Sequence, residues 1–216
     1  MRCPVCEHDA AHPFQTVGPR HYWRCPTCSC TFLQPDQRPG PAAEQAEYRL
    51  HQNHPGDAGY RRHLQQLADP LLQRLPPAQS GLDFGCGPGP VLPDLLRDAG
   101  HAVALYDPFF HPDNTALAKR YDFVTCTEVV EHFHHPADEF RRLQGLLKPG
   151  GWLGVMTRFQ TDDARFAQWH YRRDPTHVVF YREATLAHLA RRHGWRMEVP
   201  TRNVALMHKP ARAHPR

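Results

Sequence analysis

The 216-residue sequence has few lysines and no long apolar run. Only three of its 26 basic residues are lysines (Lys119, Lys148 and Lys209), and the formal net charge is +4. This balance is not typical of a nucleic-acid-binding protein. No run of about eighteen apolar residues is present, which excludes a membrane-spanning helix, and the first residues lack an apolar secretory core. We therefore expect a cytoplasmic protein without a membrane partner.

A glycine is also missing from the most informative loop. Residues 82–89 begin as an apolar strand that contains Asp83 and continue as G-x-G-x-G. Pro90 occupies the position where a dinucleotide-binding site has its last glycine. Asp83, two residues before the first glycine, favours a ligand with an ammonium group and no phosphate. A second strand-like run, 101–106, ends at Asp107, at the distance of a ribose-binding carboxylate. The pattern favours S-adenosylmethionine over a ligand-free turn.

Further motifs follow in a recognisable order. Residues 121–132 read Y-D-F-V-T-C-T-E-V-V-E-H, and a helical pattern, K-P-G-G and another strand-like run come next. Over residues 78–200 the chain resembles class I S-adenosylmethionine-dependent methyltransferases of the group with D-x-V-x-x-x-E-V-x-E-H at the fourth strand. The resemblance implies an α/β fold with a doubly wound, Rossmann-like sheet.

The resemblance also implies roles for individual residues. Asp83 would face the amino-acid end of the cofactor, Asp107 would bind the ribose hydroxyls, and Glu128 would border the methyl-donor pocket. The loop residues that would line the cofactor are Gly85, Cys86, Gly87 and Gly89. In related methyltransferases the segment before the loop forms a lid, for which Tyr48 and His51 are the candidates, with a solvated surface as the alternative.

The sequence departs from this family in one place. Only thirteen residues, 108–120, separate Asp107 from the fourth strand. A crossover normally takes a dozen residues or more, so a helix and a third strand do not both fit. We expect the sheet to be one strand short at this edge. Pro108, Phe109 and Phe110 would then replace the usual adenine contact.

Five of the seven cysteines lie in the first thirty residues. Two C-x-x-C pairs, Cys3 with Cys6 and Cys25 with Cys28, are separated by eighteen residues. This spacing predicts a zinc ribbon with four thiolate ligands. Disulfides are disfavoured in a reducing compartment, and a redox pair does not need two copies. Cys30 is left over; it could replace Cys28 only by breaking the C-x-x-C geometry.

These patterns predict a zinc ribbon over residues 1–40, a helical lid or linker over 41–77, and a methyltransferase domain over 78–216. Zinc ribbons often bind nucleic acid, but this one has only a thin basic face. A structural clip that shapes the substrate pocket is therefore favoured over an RNA-binding role.

Aromatic residues, histidines and arginines alternate without a regular period over residues 166–181. A loop at this point lies over the carboxyl ends of the strands, where ligands bind. Histidine can accept a proton from an acceptor hydroxyl or amine. The catalytic candidates are His177, then His132, with Tyr181 beside the first; Glu131 is expected to make only a local hydrogen bond.

The sequence is compatible with three functions. The first is methyl transfer from S-adenosylmethionine to a small molecule, with a structural zinc ion in the ribbon. The second is RNA methylation with the ribbon selecting the substrate. The third is a non-catalytic zinc-binding adaptor on a methyltransferase-like scaffold. The acceptor atom and the oligomeric state are not determined by the sequence.

Overall fold

A computed structural model describes residues 1–50 and 56–211 of the chain. The strands are β1 (His12–Val17), β2 (Arg20–Arg24), β3 (Thr31–Leu33), β4 (Ser80–Phe84), β5 (Ala102–Tyr106), β6 (Tyr121–Thr127), β7 (Leu147–Met156), β8 (Val179–Phe180), β9 (Arg196–Thr201) and β10 (Val204–His208). The α-helices are α1 (Pro41–Tyr48), α2 (Ala58–Leu72), α3 (Val91–Asp98), α4 (Pro136–Leu146) and α5 (Glu183–Arg192).

The central sheet has six strands in the order β5-β4-β6-β7-β10-β9. The first four strands are parallel, and β10 runs antiparallel to both β7 and β9. Between Asp107 and β6 the described chain forms a short 3-10 helix, Asn114–Ala118, and no strand. The predicted α/β sheet, one strand short at the edge beyond β5, is confirmed.

Helices cover both faces of this sheet, which explains why β4 and β6 are buried along most of their length. On one face, α2 and α3 pack Leu64, Leu67 and Leu96 against Phe123. Gly81 of β4 permits this packing, because a Cβ there would lie 2.1 Å from the Phe123 ring. The other face is covered by α4 and α5.

Local sequence signals account for where the helices begin. The Asp57 side chain accepts hydrogen bonds from the Gly59 and Tyr60 amides and thereby caps the start of α2. Pro41 occupies the first turn of α1, where its missing N–H has no cost. Within the described segments, no helix is both long and apolar enough to span a membrane.

The N-terminal residues form a second sheet, in the order β1-β2-β3-β8. Strands β1 to β3 belong to residues 1–40, which we call the ribbon. Strand β8 comes from the loop after β7 and pairs with β3 through Thr31↔Phe180 and Phe32↔Val179. The predicted boundary between ribbon and methyltransferase domain is therefore crossed by a shared sheet.

Candidate functional site

A cavity of about 630 Å³ opens at the carboxyl ends of β4, β5 and β6. This is the edge where ligands bind in parallel α/β sheets. Its wall includes Gly85, Cys86, Gly87 and Pro88, then Asp107 to Phe110, and Glu128, His132, Asp174 and His177. Tyr48 of α1 and Tyr60 of α2 close its other side. Most of the predicted site residues are thus brought to one cavity.

The glycine loop, residues 85–89, requires glycine for two different reasons. Gly85 has a φ of +79°, and a Cβ there would lie 2.5 Å from Val129. Gly87 has a φ of +66°, yet a Cβ there would meet nothing within 4 Å, because this residue borders the cavity. Gly85 therefore packs the loop onto the sheet, and Gly87 leaves room for a ligand to approach the backbone. Gly89 is not part of the cavity wall.

Asp107 organises the turn that follows β5. Its Oδ1 accepts hydrogen bonds from the amides of Phe109 (2.8 Å) and Phe110 (3.0 Å), and its Oδ2 accepts one from Gly87 (3.0 Å). A carboxylate offers about four acceptor positions, so three amides leave capacity for one ligand hydroxyl. The residue joins the glycine loop to the Phe109–Phe110 turn and borders the cavity.

Asp83 lies beneath the glycine loop and outside the cavity wall. Its side chain is buried, and Oδ1 accepts a hydrogen bond from Thr125 Oγ1 at 2.6 Å. Burial raises the pKa of this carboxyl to about 6. The structure thus places Asp83 one layer below the position expected for direct contact with the cofactor.

Aromatic rings line the cavity between the Asp107 turn and His132. The Tyr48 ring centroid lies 5.7 Å from that of Phe109 and 5.1 Å from that of His132. Pro108 lies on the same wall. Helix α1 therefore supplies one predicted lid residue, Tyr48, while the other, His51, lies outside the described residues.

Four residues, Glu128, Glu131, His132 and His177, form what we call the Glu–His cluster. Glu131 is fully buried at its centre, and its Oε1 lies 4.0 Å from Nε2 of both His132 and His177. The Tyr171 hydroxyl lies 2.5 Å from Glu131 Oε1 and 2.9 Å from Glu128 Oε2. Glu128 has a φ of +53° just after β6, a left-handed backbone conformation that is uncommon for non-glycine residues.

The two carboxyl groups have opposite pKa shifts. Burial opposes ionisation of Glu128, but hydrogen bonds with His63 and Tyr171 hold its pKa below the usual value. Burial and the neighbouring Glu128 charge raise the pKa of Glu131 well above its usual value. Burial, together with the nearby His177 ring, lowers the pKa of His132 to about 3. At neutral pH His132 is therefore uncharged, and Glu131 ionises less readily than Glu128.

Backbone carbonyls orient both imidazole rings. His132 Nδ1 lies 3.1 Å from the Thr176 carbonyl oxygen, and His177 Nδ1 lies 2.6 Å from that of Tyr171. Each Nδ1 then carries the proton, an assignment made from the hydrogen bond, and each Nε2 is left with its lone pair towards Glu131. The ligand atoms of Glu131, His132 and His177 lie within 4.8 Å of one another. These three residues could hold a metal ion, with both histidines oriented by backbone acceptors.

Two expectations about catalytic residues need correction. Tyr181 is fully buried away from the cavity wall, and its hydroxyl donates to the Val130 carbonyl oxygen at 2.9 Å, so packing of β8 against the sheet removes it from the reacting groups. Glu131 does more than form a local hydrogen bond, because it lies at the centre of the cluster. The E-V-x-E-H spacing contained this signal: residues 128 and 131 lie three positions apart, on either side of the start of the 3-10 helix Val130–His132. Asp174, whose Oδ2 lies 3.7 Å from His177 Nε2, had no such signal.

The ribbon contains a second group of potential metal ligands. The Sγ atoms of Cys3, Cys6, Cys25 and Cys28 lie within 4.8 Å of one another, and all four residues are buried. Both knuckles close in the same way: the Glu7 amide donates to the Cys3 carbonyl oxygen, and the Ser29 amide donates to that of Cys25. Tetrathiolate geometry of this kind suits zinc. Cys30 falls outside the group, although its Sγ lies 3.3 Å from that of Cys3.

Sequence comparisons identify relatives for the larger part of the chain. A family model described as a methyltransferase domain matches residues 59–198. The ubiquinone biosynthesis O-methyltransferase of Serratia proteamaculans (strain 568) is 38% identical over 78 residues, 36% of this chain and 32% of that protein. The protein of the same description from Leptothrix cholodnii is 50% identical over 38 residues, 18% of this chain and 16% of the relative. The chain thus matches a third or less of the length of these relatives.

Structural comparison gives the same fold. A 1,6-didemethyltoxoflavin-N1-methyltransferase from Burkholderia thailandensis, solved with its substrate and S-adenosylhomocysteine, has a TM-score of 0.52 at 16% identity over 93% of this chain and 100% of that chain. An O-methyltransferase family protein from the same organism has a TM-score of 0.54 at 16% identity over 70% and 56%. Since the family model covers well over half of the residues and includes the whole cavity edge of the sheet, the chain belongs to the methyltransferase domain family.

Proposed function

We propose that this protein transfers a methyl group from S-adenosylmethionine to a hydroxyl group of a small molecule bound in the cavity. One observation supports this most directly: a single cavity joins the glycine loop and Asp107 to the Glu–His cluster. The edge where the methyl donor would bind and the side chains that would accept a proton therefore line the same cavity. The curated relatives are named O-methyltransferases, which agrees with an oxygen acceptor.

The donor would lie along the glycine loop. Gly87 lets it approach the backbone, and the remaining acceptor position of Asp107 suits a ribose hydroxyl. Phe109 and Tyr48, whose ring centroids lie 5.7 Å apart on the cavity wall, would pack against the adenine in place of the family's usual adenine contact. Asp83 would act through the loop rather than by contact. The open space at Gly87 and the remaining acceptor position of Asp107 support this placement.

Methyl transfer is a displacement at carbon, so the protein mainly aligns the two reactants and excludes water. The acceptor hydroxyl must also lose its proton. His177 lines the cavity, so its imidazole is placed to accept this proton. The acceptor would therefore lie between the donor's methyl group and the Glu–His cluster.

The Glu–His cluster also fits a divalent cation. Two carboxylates and two imidazoles are donors for borderline cations such as Mn²⁺ and Zn²⁺, and Glu131 Oε2 is buried without a hydrogen-bond partner among the described residues. A cation held by Glu128, Glu131, His132 and His177 would lower the pKa of a bound hydroxyl. Without it, His177 itself would accept the proton, as the sequence predicts.

The ribbon thiolates would hold a structural zinc ion. Four buried sulfur ligands leave no open coordination position, and among the described residues none of these cysteines lies on the cavity wall. Zinc bound in this way supplies folding energy to a segment too small to have a large core.

Titration calorimetry with S-adenosylhomocysteine tests donor binding. We expect one site on the wild type and none on Gly87→Val, because the new side chain would occupy the ligand's approach to the backbone. Gly145→Val, on the exposed face of α4, is the matched control and should bind normally. Unchanged affinity in Gly87→Val, with its melting temperature preserved, would contradict the donor site.

A panel of acceptors tests the second half of the proposal. The wild type is incubated with S-adenosylmethionine and phenols, aliphatic alcohols, primary amines or mixed RNA, and S-adenosylhomocysteine release is measured. We expect turnover with a hydroxyl compound. Selective turnover on RNA that needs the ribbon would favour the RNA enzyme, and donor binding without turnover on any class would favour the adaptor.

A further inference from the structure

The ribbon packs against the chain segments that contain Glu131, His132 and His177, on the side away from the cavity. Among the described residues of the ribbon, none lines the cavity wall. Yet its backbone and side chains contact residues 130–137, which contain Glu131 and His132, and residues 176–181, which contain His177. The ribbon is therefore placed to position these three residues without contacting a ligand.

The first set of contacts reaches His177 through its neighbour. The Leu33 amide at the end of β3 donates to the Val178 carbonyl oxygen at 2.8 Å, and the Val178 amide donates to the Glu131 carbonyl oxygen at 2.9 Å. Val178 is fully buried. One residue therefore links β3 of the ribbon, the loop with His177 and the turn with Glu131.

The second set fixes the turn and the start of α4. The Ala137 amide donates to the Pro4 carbonyl oxygen, inside the first C-x-x-C knuckle, at 3.0 Å. The Arg38 guanidinium, at the end of the ribbon, donates to the His134 carbonyl oxygen at 2.5 Å. Two of the four cysteines thus flank a residue that holds the segment following His132.

Buried polar contacts extend the same link. Thr31 Oγ1 donates a hydrogen bond to the side-chain Oε1 of Gln160 at 2.6 Å. The backbone N–H of Gln160 donates to the Tyr181 carbonyl oxygen at 2.7 Å. Tyr181 in turn holds Val130 through its hydroxyl. Unfolding of the ribbon would remove the Thr31–Gln160 bond and leave the buried Gln160 Oε1 without that donor, at the start of the path that leads through Tyr181 to Val130.

We propose that the ribbon is a positioning element of the methyl-transfer site: the metal in the four-thiolate cluster holds the knuckles and β3, and these hold His177 and Glu131. Release of that metal, by a chelator or by thiol oxidation, disorders the catalytic segments while the glycine loop stays folded. Donor binding then survives and transfer does not. The consequence for turnover rests on the proposed function, whereas the structural link does not.

Hydrogen–deuterium exchange tests the link without an acceptor. Cys25→Ser should lose its zinc and expose the amides of residues 130–137 and 176–181, while residues 82–107 keep their protection. Cys30→Ser, which alters a buried cysteine outside the metal group, should behave as the wild type. Retained protection at 176–181 in the zinc-free variant would overturn the proposal, as would a uniform loss that includes residues 82–107.

A second variant keeps the metal and removes one contact. Arg38→Met preserves the apolar stem but cannot donate to His134. We expect zinc content and S-adenosylhomocysteine affinity to stay unchanged and kcat to fall on the order of tenfold, since small misplacements of catalytic groups are costly. An unchanged kcat would count against positioning by the ribbon. A wild type that fails to bind S-adenosylhomocysteine would instead refute the proposed function and leave the exchange result valid.

Discussion

The molecule contains two clusters of metal-type ligands that differ in chemistry and access. In the ribbon, four cysteine sulfurs lie buried and away from the cavity. At the carboxyl end of β6, the Glu131 carboxyl lies within ligand distance of the His132 and His177 imidazoles, and both histidines line the cavity. Soft ligands in a closed arrangement suit a structural ion, and mixed oxygen and nitrogen ligands next to ligand space suit a catalytic one. Ligand type and access together, more than ligand number, separate the two roles.

The largest effect should follow removal of a thiolate. Cys28→Ser should abolish zinc binding and unfold residues 1–34, because structural zinc supplies about 10–16 kcal/mol to small sites of this kind. Elemental analysis should give one zinc per chain for the wild type and none for the variant. A variant that keeps its zinc would mean that Cys30 had taken the fourth position.

The next largest effect should follow a substitution in the Glu–His cluster, and it concerns turnover. His177→Ala should leave S-adenosylhomocysteine affinity nearly intact and reduce turnover by about 10²–10⁴-fold. His170→Ala, an exposed histidine in the same loop, is the control. Full turnover in His177→Ala would move the proton-accepting role to His132 or to another group.

A smaller loss, of affinity for the methyl donor, is expected from a substitution at the donor end of the cavity. Asp107→Ala removes a charge-assisted hydrogen bond to the ribose and three acceptor contacts with the loop, so donor binding should weaken by about 1.5–3 kcal/mol. Calorimetry with S-adenosylhomocysteine measures this directly. Asp113→Ala, an exposed aspartate that caps the 3-10 helix Asn114–Ala118, should bind as the wild type does. Equal affinities for all three proteins would remove Asp107 from the donor site.

The smallest effect is a pH dependence of stability from Asp83. Its pKa is raised to about 6 in the folded protein, so the folded state favours the protonated carboxyl. That contribution is complete below the unfolded pKa of about 3.9 and disappears as pH rises through about 6. Between pH 5 and pH 7 the loss amounts to about 1 kcal/mol. Thermal unfolding of Asp83→Asn should lack this component; an identical pH profile would show that Asp83 is ionised in the fold.

The cysteine pairs, the glycine loop and the missing edge strand could be predicted from the sequence, because each depends on a short local motif. The C-x-x-C pairs fix two ligands each at one turn, and the thirteen residues after Asp107 leave no room for a strand. The glycine loop is equally local. Such features need no knowledge of distant packing, and the structure places them as the spacing predicts.

The parts that were missed depend on contacts between distant segments. Nothing near Val179 in the sequence shows that it pairs with Phe32, so the shared sheet is invisible without the fold. Tyr181 and His177 lie four residues apart in the sequence, on either side of β8. The Tyr181 side chain is nevertheless in the core, whereas His177 lines the cavity. Glu131 gains its role only when His177 and Tyr171 fold over it.

Metal counting after addition of Mn²⁺ tests the central claim of two separate centres most directly. We expect wild-type protein to keep one zinc and bind one Mn²⁺, detected by electron paramagnetic resonance. Glu131→Gln should keep the zinc and lose the Mn²⁺, and Cys28→Ser should lose the zinc. A wild type that binds no Mn²⁺, or a Glu131→Gln variant that still binds it with wild-type affinity, would contradict the assignment of the Glu–His cluster as a cation site.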